Sequence, residues 1–185
     1  MRLRIVLLTF LIPFLPQAAN AATIEILGDY PLIYNASIGN YDAVQRIINR
    51  GAKINKLHPD GTTALVEAAK GGHADVITLL LKHNAWTEYK DVDGKSALLY
   101  AAERGHTKAV YELIKGRADI EAYDKQGLTP LIVATRNNHD DVIKLLIGAG
   151  VDPNRADFAG IRPLEWAERG RAEDIIELLR AAGAQ

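Results

Sequence analysis

Cysteine is absent from this chain of 185 residues, so an oxidising compartment can neither staple it nor damage it through thiols. The same absence rules out lipid attachment at a lipobox. No block of like charge stands out among the 22 basic and 23 acidic residues, which makes nucleic acid and anionic membrane surfaces poor partners. Serine occurs only at Ser37 and Ser96, and Ser96 falls where a helix cap is expected rather than a nucleophile. No phosphate loop and no catalytic constellation are present. Asp91-Val92-Asp93-Gly94 opens like a calcium loop, but its twelfth position is Ala102 instead of the closing glutamate. An enzyme is not expected, and neither a cofactor nor a metal is implied. No apolar run is long enough to span a bilayer, which takes about 20 residues.

What is present first is an N-terminal segment of different character. Arg2 and Arg4 precede an eleven-residue run, Ile5 to Leu15, broken only by Thr9 and Pro13, and then Ala19-Asn20-Ala21. A basic start, a short apolar stretch and small residues at both positions that a signal peptidase inspects read as a secretory signal. Cleavage is expected after Ala21, giving residues 1–21 as signal peptide and 22–185 as one domain with a periplasmic address. Without Arg2 and Arg4, 20 basic residues face 23 acidic ones, a net charge of about −3. After cleavage no membrane insertion is expected, and the unbound protein is expected to be a monomer.

The rest of the chain keeps time. Gly28, Gly61, Gly94, Gly127 and Gly160 are 33 residues apart, as are Leu32, Leu65, Leu98, Leu131 and Leu164. A fixed period of this length means a solenoid in which each unit leans on its neighbours. The copy from Asp124 shows the unit. Thr129 supplies a cap hydroxyl before Pro130 at the first helical position, where a missing N–H costs nothing. A short helix follows and ends near Asn137-Asn138, where earlier copies have Gly71-Gly72 and Arg104-Gly105. Val142, Ile143, Leu145 and Leu146 then mark a second helix at helical spacing, opened by Asp140-Asp141 and closed by Gly150. A polar stretch swings out and returns as a hairpin-like loop with its turn at the periodic glycine.

The order DxxGxTPL, two small residues, GH, a VI-xx-LL run and GA-D-N resembles the ankyrin repeat. The resemblance covers five copies, at about 25–57, 58–90, 91–123, 124–156 and 157–185. It implies an all-α solenoid of stacked helix-turn-helix units with projecting hairpin loops, and a surface that binds another protein. The family's histidine after the TPL leucine is replaced here by Ile33, Val66, Leu99, Ile132 and Glu165, so apolar packing is expected in place of its hydrogen bonds. His73, His106 and His139 form a second column. Neighbouring helices stand roughly 8–10 Å apart, too far for one zinc ion with nitrogens at about 2 Å, so these histidines are expected to be structural.

A terminal repeat must keep its outer face soluble. The charges of the last copy (Arg162, Glu165, Glu168, Arg169, Arg171, Glu173, Glu177, Arg180) fit that role, and Tyr30, Tyr34, Asn35, Asn40 and Asp42 are expected to do the same at the front. In arrays of this kind the loops and first helices make the face that meets partners. Leu57, Pro59, Lys90, Val92, Lys95, Tyr123, Lys125, Leu128, Phe158 and Ile161 are expected at the loop tips, with Trp86 and Tyr89 at the root of the same projection. Of these, Trp86, Tyr89, Lys90, Val92, Lys95, Tyr123, Lys125, Leu128, Phe158 and Ile161 are the candidate partner-binding residues, with Trp86, Tyr123 and Phe158 as anchors. Lys70, Glu103, Arg136 and Arg169 suit a rim, and Trp166 is expected to pack in a core or cap. The function expected is an exported binding module acting as an inhibitor, immunity factor or adaptor for an envelope protein. The resemblance also reaches exported ankyrin-repeat proteins associated with catalase, which adds an accessory role in peroxide defence as the alternative.

Overall fold

A computed structural model describes residues 30–185. The proposed signal segment and the opening of the first repeat lie outside the described residues. Among the described residues there are ten helices and no strand. They come in pairs: α1 (Pro31–Ser37) with α2 (Tyr41–Asn49), α3 (Ala64–Gly71) with α4 (Ala74–Lys82), and α5 (Ala97–Glu103) with α6 (Thr107–Lys115). Then follow α7 (Pro130–Arg136) with α8 (Asp140–Gly148), and α9 (Pro163–Gly170) with α10 (Glu173–Ala181).

Helices of seven to nine residues are too short to persist alone. They persist here because each buries a face on the next repeat. The first helices stack in one row, α1 on α3, α3 on α5, α5 on α7 and α7 on α9; the second helices form a parallel row behind. One continuous core runs from Leu32 to Leu179. The first-helix row packs more closely than the second, and the sequence says why. Ala68, Ala69, Ala101, Ala102 and Ala134 let backbones approach, while Val76, Leu79, Leu80, Leu113 and Leu146 hold the second helices apart. The row of small residues becomes the inner, concave side.

The expected caps are present. Thr63 Oγ1, Ser96 Oγ and Thr129 Oγ1 each accept the N–H three residues on, from Val66, Leu99 and Ile132, all at 3.3 Å. Arg162 fills the same place in the last repeat without a capping bond. Ile33, Val66, Leu99 and Ile132 are buried, so apolar packing does take the place of the family's histidine.

Direct bonds between repeats come from elsewhere. His73 Nε2–H donates to the Ser37 carbonyl at 3.0 Å, His106 Nε2–H to that of Lys70 at 3.2 Å, and His139 Nε2–H to that of Glu103 at 3.0 Å. Each ring lies against a glycine one repeat back: a Cβ on Gly105 would sit 2.5 Å from the His139 ring. At the equivalent Asn138 the next repeat offers Ala172 in place of histidine, and a side chain is accommodated at φ 56°. A second staple uses the column Asn55, Glu88, Glu121, Asn154. Each side-chain oxygen accepts a backbone N–H of the following repeat, from Trp86, Asp119, Asp152 and Gln185, at 2.7–2.9 Å.

At the front one expectation is corrected, and at the back Leu179 is covered more fully than a terminal repeat's single neighbour suggests. Asn35 is buried, with its amide on the Pro31 carbonyl at 2.8 Å, and Asn40 caps α2 by accepting the Ala43 N–H at 3.1 Å, so neither serves as a soluble face. Leu179 is fully covered, as Leu131 is, because α10 folds back onto α9 and screens it.

Candidate binding surface

Three of the four described projecting loops are built on one aspartate; His58 takes its place in the earliest. Asp91, Asp124 and Asp157 use Oδ1 to accept two backbone N–H groups, two and four residues on, at 2.9–3.0 Å. The turn then closes on the periodic glycine, with φ between 78° and 80° at Gly61, Gly94, Gly127 and Gly160. At Gly127 a second demand is added. Phe158 of the next loop lies across it, 2.5 Å from where a Cβ would stand, and its N–H donates to the Gln126 carbonyl at 3.0 Å. Val92 lies over Gly61 and Lys125 over Gly94 in the same manner. The loops are therefore shingled, and the residue on top of each shingle faces outward.

This arrangement sorts the candidate residues. Phe158 is 70% exposed, Val92 62% and Tyr123 40%. Phe158 meets Tyr123 edge-on, with ring centroids 5.6 Å apart. Lys90 Nζ stands 4.5 Å over the Tyr123 ring and donates to the Tyr123 carbonyl at 2.8 Å; the Arg155 guanidinium lies 5.2 Å from the same ring. Tyr123, Phe158 and Lys90 form one patch, and Lys125 is exposed nearby on its own shingle. Leu57 is exposed on an earlier loop.

Other candidates lie elsewhere. Leu128 is only 8% exposed and belongs to the core, because its column immediately precedes the helix cap and turns inward. Ile161, in the same column, is half-buried. Lys95 is not at a tip either: its Nζ bonds both oxygens of Glu103 at 2.8 Å and lies 5.4 Å over the Tyr100 ring, on the first-helix face. Tyr89 is half-buried and donates its hydroxyl to the Gly61 carbonyl at 3.0 Å, so it ties two loops together. Trp86 is 57% exposed beside the end of α4, where it lines an open cleft with Leu81, Tyr89 and Gly116. It stands apart from the Tyr123–Phe158 patch.

The first-helix face carries polar chemistry that the sequence reading missed. In the third repeat the Tyr100 hydroxyl donates to Asp91 Oδ2 at 2.6 Å; in the fifth, Trp166 Nε1–H donates to Asp157 Oδ2 at 3.0 Å. Burial, then the bond to Asp91 and the nearby carboxylates of Asp91, Asp93 and Glu103, push the Tyr100 phenol well above its ordinary range. In the fourth repeat Val133 occupies the donor's place, and Asp124 Oδ2 is buried without a partner. Trp166 therefore packs as expected, but on the groove face, with Arg136 at 4.7 Å and Arg169 at 5.4 Å over its ring. The nine-residue offset from aspartate to aromatic was the available signal. Among the described residues no cluster of metal-ligating side chains occurs, and no helix is long and apolar enough to cross a membrane.

With helix pairs, shingled loops and a small-residue inner row in place, comparison with protein families gives the same answer. The family model described as ankyrin repeats (3 copies) matches residues 7–91, 32–124, 85–157 and 113–185 in overlapping placements. The chain belongs to the ankyrin-repeat family. Such repeats are interaction modules rather than catalytic ones, and their general task is to bind another protein. Comparison with curated proteins finds no match.

Proposed function

We propose that this protein is an exported binding module of the bacterial envelope that holds one partner protein across its loops, with Phe158 and Tyr123 as the anchors. One observation carries this reading: two large aromatics stand edge-on at the tips of adjacent loops, exposed, with a lysine over one ring. Exposed aromatics contribute little to folding and much to association. Trp86 extends the contact only if the partner wraps towards the second helices. The partner is an envelope enzyme or toxin that the module inhibits or adapts, and the basic start with the Ala19-Asn20-Ala21 box supplies the address.

The test has two arms. N-terminal sequencing of protein recovered from the periplasm should begin at Ala22; an intact Met1 on a cytoplasmic protein would remove the address. A photocrosslinker at position 158 should capture one discrete protein in the envelope fraction. Phe158→Ala should weaken that complex by about 2 kcal/mol or more, roughly thirtyfold, with little change in melting temperature. Lost stability with capture unchanged would return the aromatics to a structural role.

A further inference from the structure

Cations on the first-helix face are neutralised at one end of the groove and unneutralised at the other. Lys70 pairs with Glu67 at 2.9 Å and Lys95 with Glu103 at 2.8 Å. Arg136 and Arg169, in the same helical column further along, have no carboxylate partner among the described residues. Both guanidiniums lie over the Trp166 ring, at 4.7 and 5.4 Å. The ring is itself fixed, because Trp166 Nε1 donates to a buried aspartate whose other oxygen is held by two backbone N–H groups. A guanidinium held over an indole still presents N–H donors to solvent, and those donors match a carboxylate in a fork. The acidic residues of α9 do not occupy that fork. Glu168 is engaged by Arg180 at 3.0 Å, and Glu165 forms no ion pair with either arginine.

We infer that Arg136, Trp166 and Arg169 form a preorganised clamp for a carboxylate-rich segment of the partner, seated at the C-terminal end of the groove. This rests on the protein-binding reading and adds the chemistry of the partner's contact strand. The charges are complementary: two unpaired guanidiniums on one rigid ring call for two carboxylates spaced along an extended chain. The ring removes the rotamer freedom that two arginines would otherwise lose on binding, so the site is built before the partner arrives.

The probe is a fluorescein-labelled peptide of alternating Glu and Gly, compared by anisotropy with its Gln–Gly counterpart and with a phosphoserine–Gly version. The acidic peptide should bind at least about tenfold more tightly than the Gln peptide at low salt, and weaken as salt shortens the screening length. Arg136→Gln and Arg169→Gln should each weaken it about tenfold, whereas Arg136→Lys should lose only part of that and Lys144→Gln on α8 none. Circular dichroism of each variant separates a lost contact from a lost fold; if a Gln variant unfolds, the Lys variant and the salt series decide. Equal binding of the Glu and Gln peptides, no binding of either, an unchanged affinity in the folded Gln variants, or tighter binding of the phosphopeptide would each overturn the clamp. None of those results touches capture at position 158, so the loop-binding reading stands or falls separately.

Discussion

The same substitution made in three repeats should have three different costs, because the structure differs at one atom. Asp91, Asp124 and Asp157 each hold their loop through Oδ1 and differ in what meets Oδ2: a tyrosine hydroxyl, nothing, and an indole N–H. Replacing each by asparagine keeps Oδ1 and turns Oδ2 into an NH2 donor. The weakening of the Oδ1 bonds is common to all three and cancels in the comparison. At Asp157 the new donor faces Trp166 Nε1–H, which can only donate, so two buried donors are left unsatisfied. Flipping the amide would only move the clash to the N–H groups of Ala159 and Ile161. The extra cost is about 2–3 kcal/mol, from a lost bond to a charged acceptor and an orphaned donor. At Asp91 the Tyr100 hydroxyl can rotate and accept, and the extra cost falls to about 1 kcal/mol. At Asp124 no partner is lost, and a carboxylate whose second oxygen lacks a donor is removed, so the extra cost is about zero.

Urea titration of the three variants reads this directly. With m of about 2 kcal/mol per molar, Asp157→Asn should lower the midpoint by about 1 M relative to Asp124→Asn, with unchanged slope. The order Asp157, then Asp91, then Asp124 is the prediction. Equal losses in all three, or Asp124→Asn as the worst, would refute the claim that the groove-facing aromatics hold the loops.

Further outcomes follow from single contacts. Gly105→Asn should cost about 2 kcal/mol or more despite asparagine's tolerance of left-handed backbone, because the His139 ring fills the Cβ site; Asn138→Gly should change the unfolding free energy from urea titration by less than about 0.5 kcal/mol. Leu131→Ala and Leu179→Ala should both cost about 2–5 kcal/mol, since both are fully buried, but hydrogen exchange after Leu179→Ala should quicken only in the last repeat. The Tyr100 phenol is raised in the folded state, so its contribution is complete below the ordinary tyrosine range and declines as pH rises above about 10. Tyr100→Phe should lose less stability than the parent between neutral and strongly alkaline pH; an identical alkaline loss would place the titrating group elsewhere.

The fold was legible in the chain because the period repeats the same physical demands. A loop glycine, a cap hydroxyl and an inward leucine recur every 33 residues, and each recurrence corroborates the others. The histidine column was readable as structural from spacing alone, though spacing could not reveal that each ring reaches back to a carbonyl of the preceding repeat. The staple at Asn55, Glu88, Glu121 and Asn154 escaped notice because two residue types share it: amide and carboxylate oxygens accept a backbone N–H equally well, and identity hides the common role.

The candidate binding surface was harder to read, and the reason is geometric. A loop residue's chemistry does not say which way it points. Leu128 and Val92 are both aliphatic and both in loops, yet one is in the core and the other on a shingle. What separates them is the column: Thr62, Lys95, Leu128 and Ile161 precede the cap, while Val92, Lys125 and Phe158 cross the preceding glycine. The column also explains why Lys95 turns to Glu103 and leaves the tips to Lys90 and Lys125. Position in the period fixes direction, and residue type then fixes what that direction offers. On the outward columns the chain places Phe158 and Tyr123. On the inward-groove column it places tyrosine, valine and tryptophan in successive repeats, and only at the tryptophan do two cations remain without a counter-charge. Because the scaffold repeats and these side chains do not, the proposed selectivity for a partner rests on the departures from the repeat, where the shared scaffold cannot supply it.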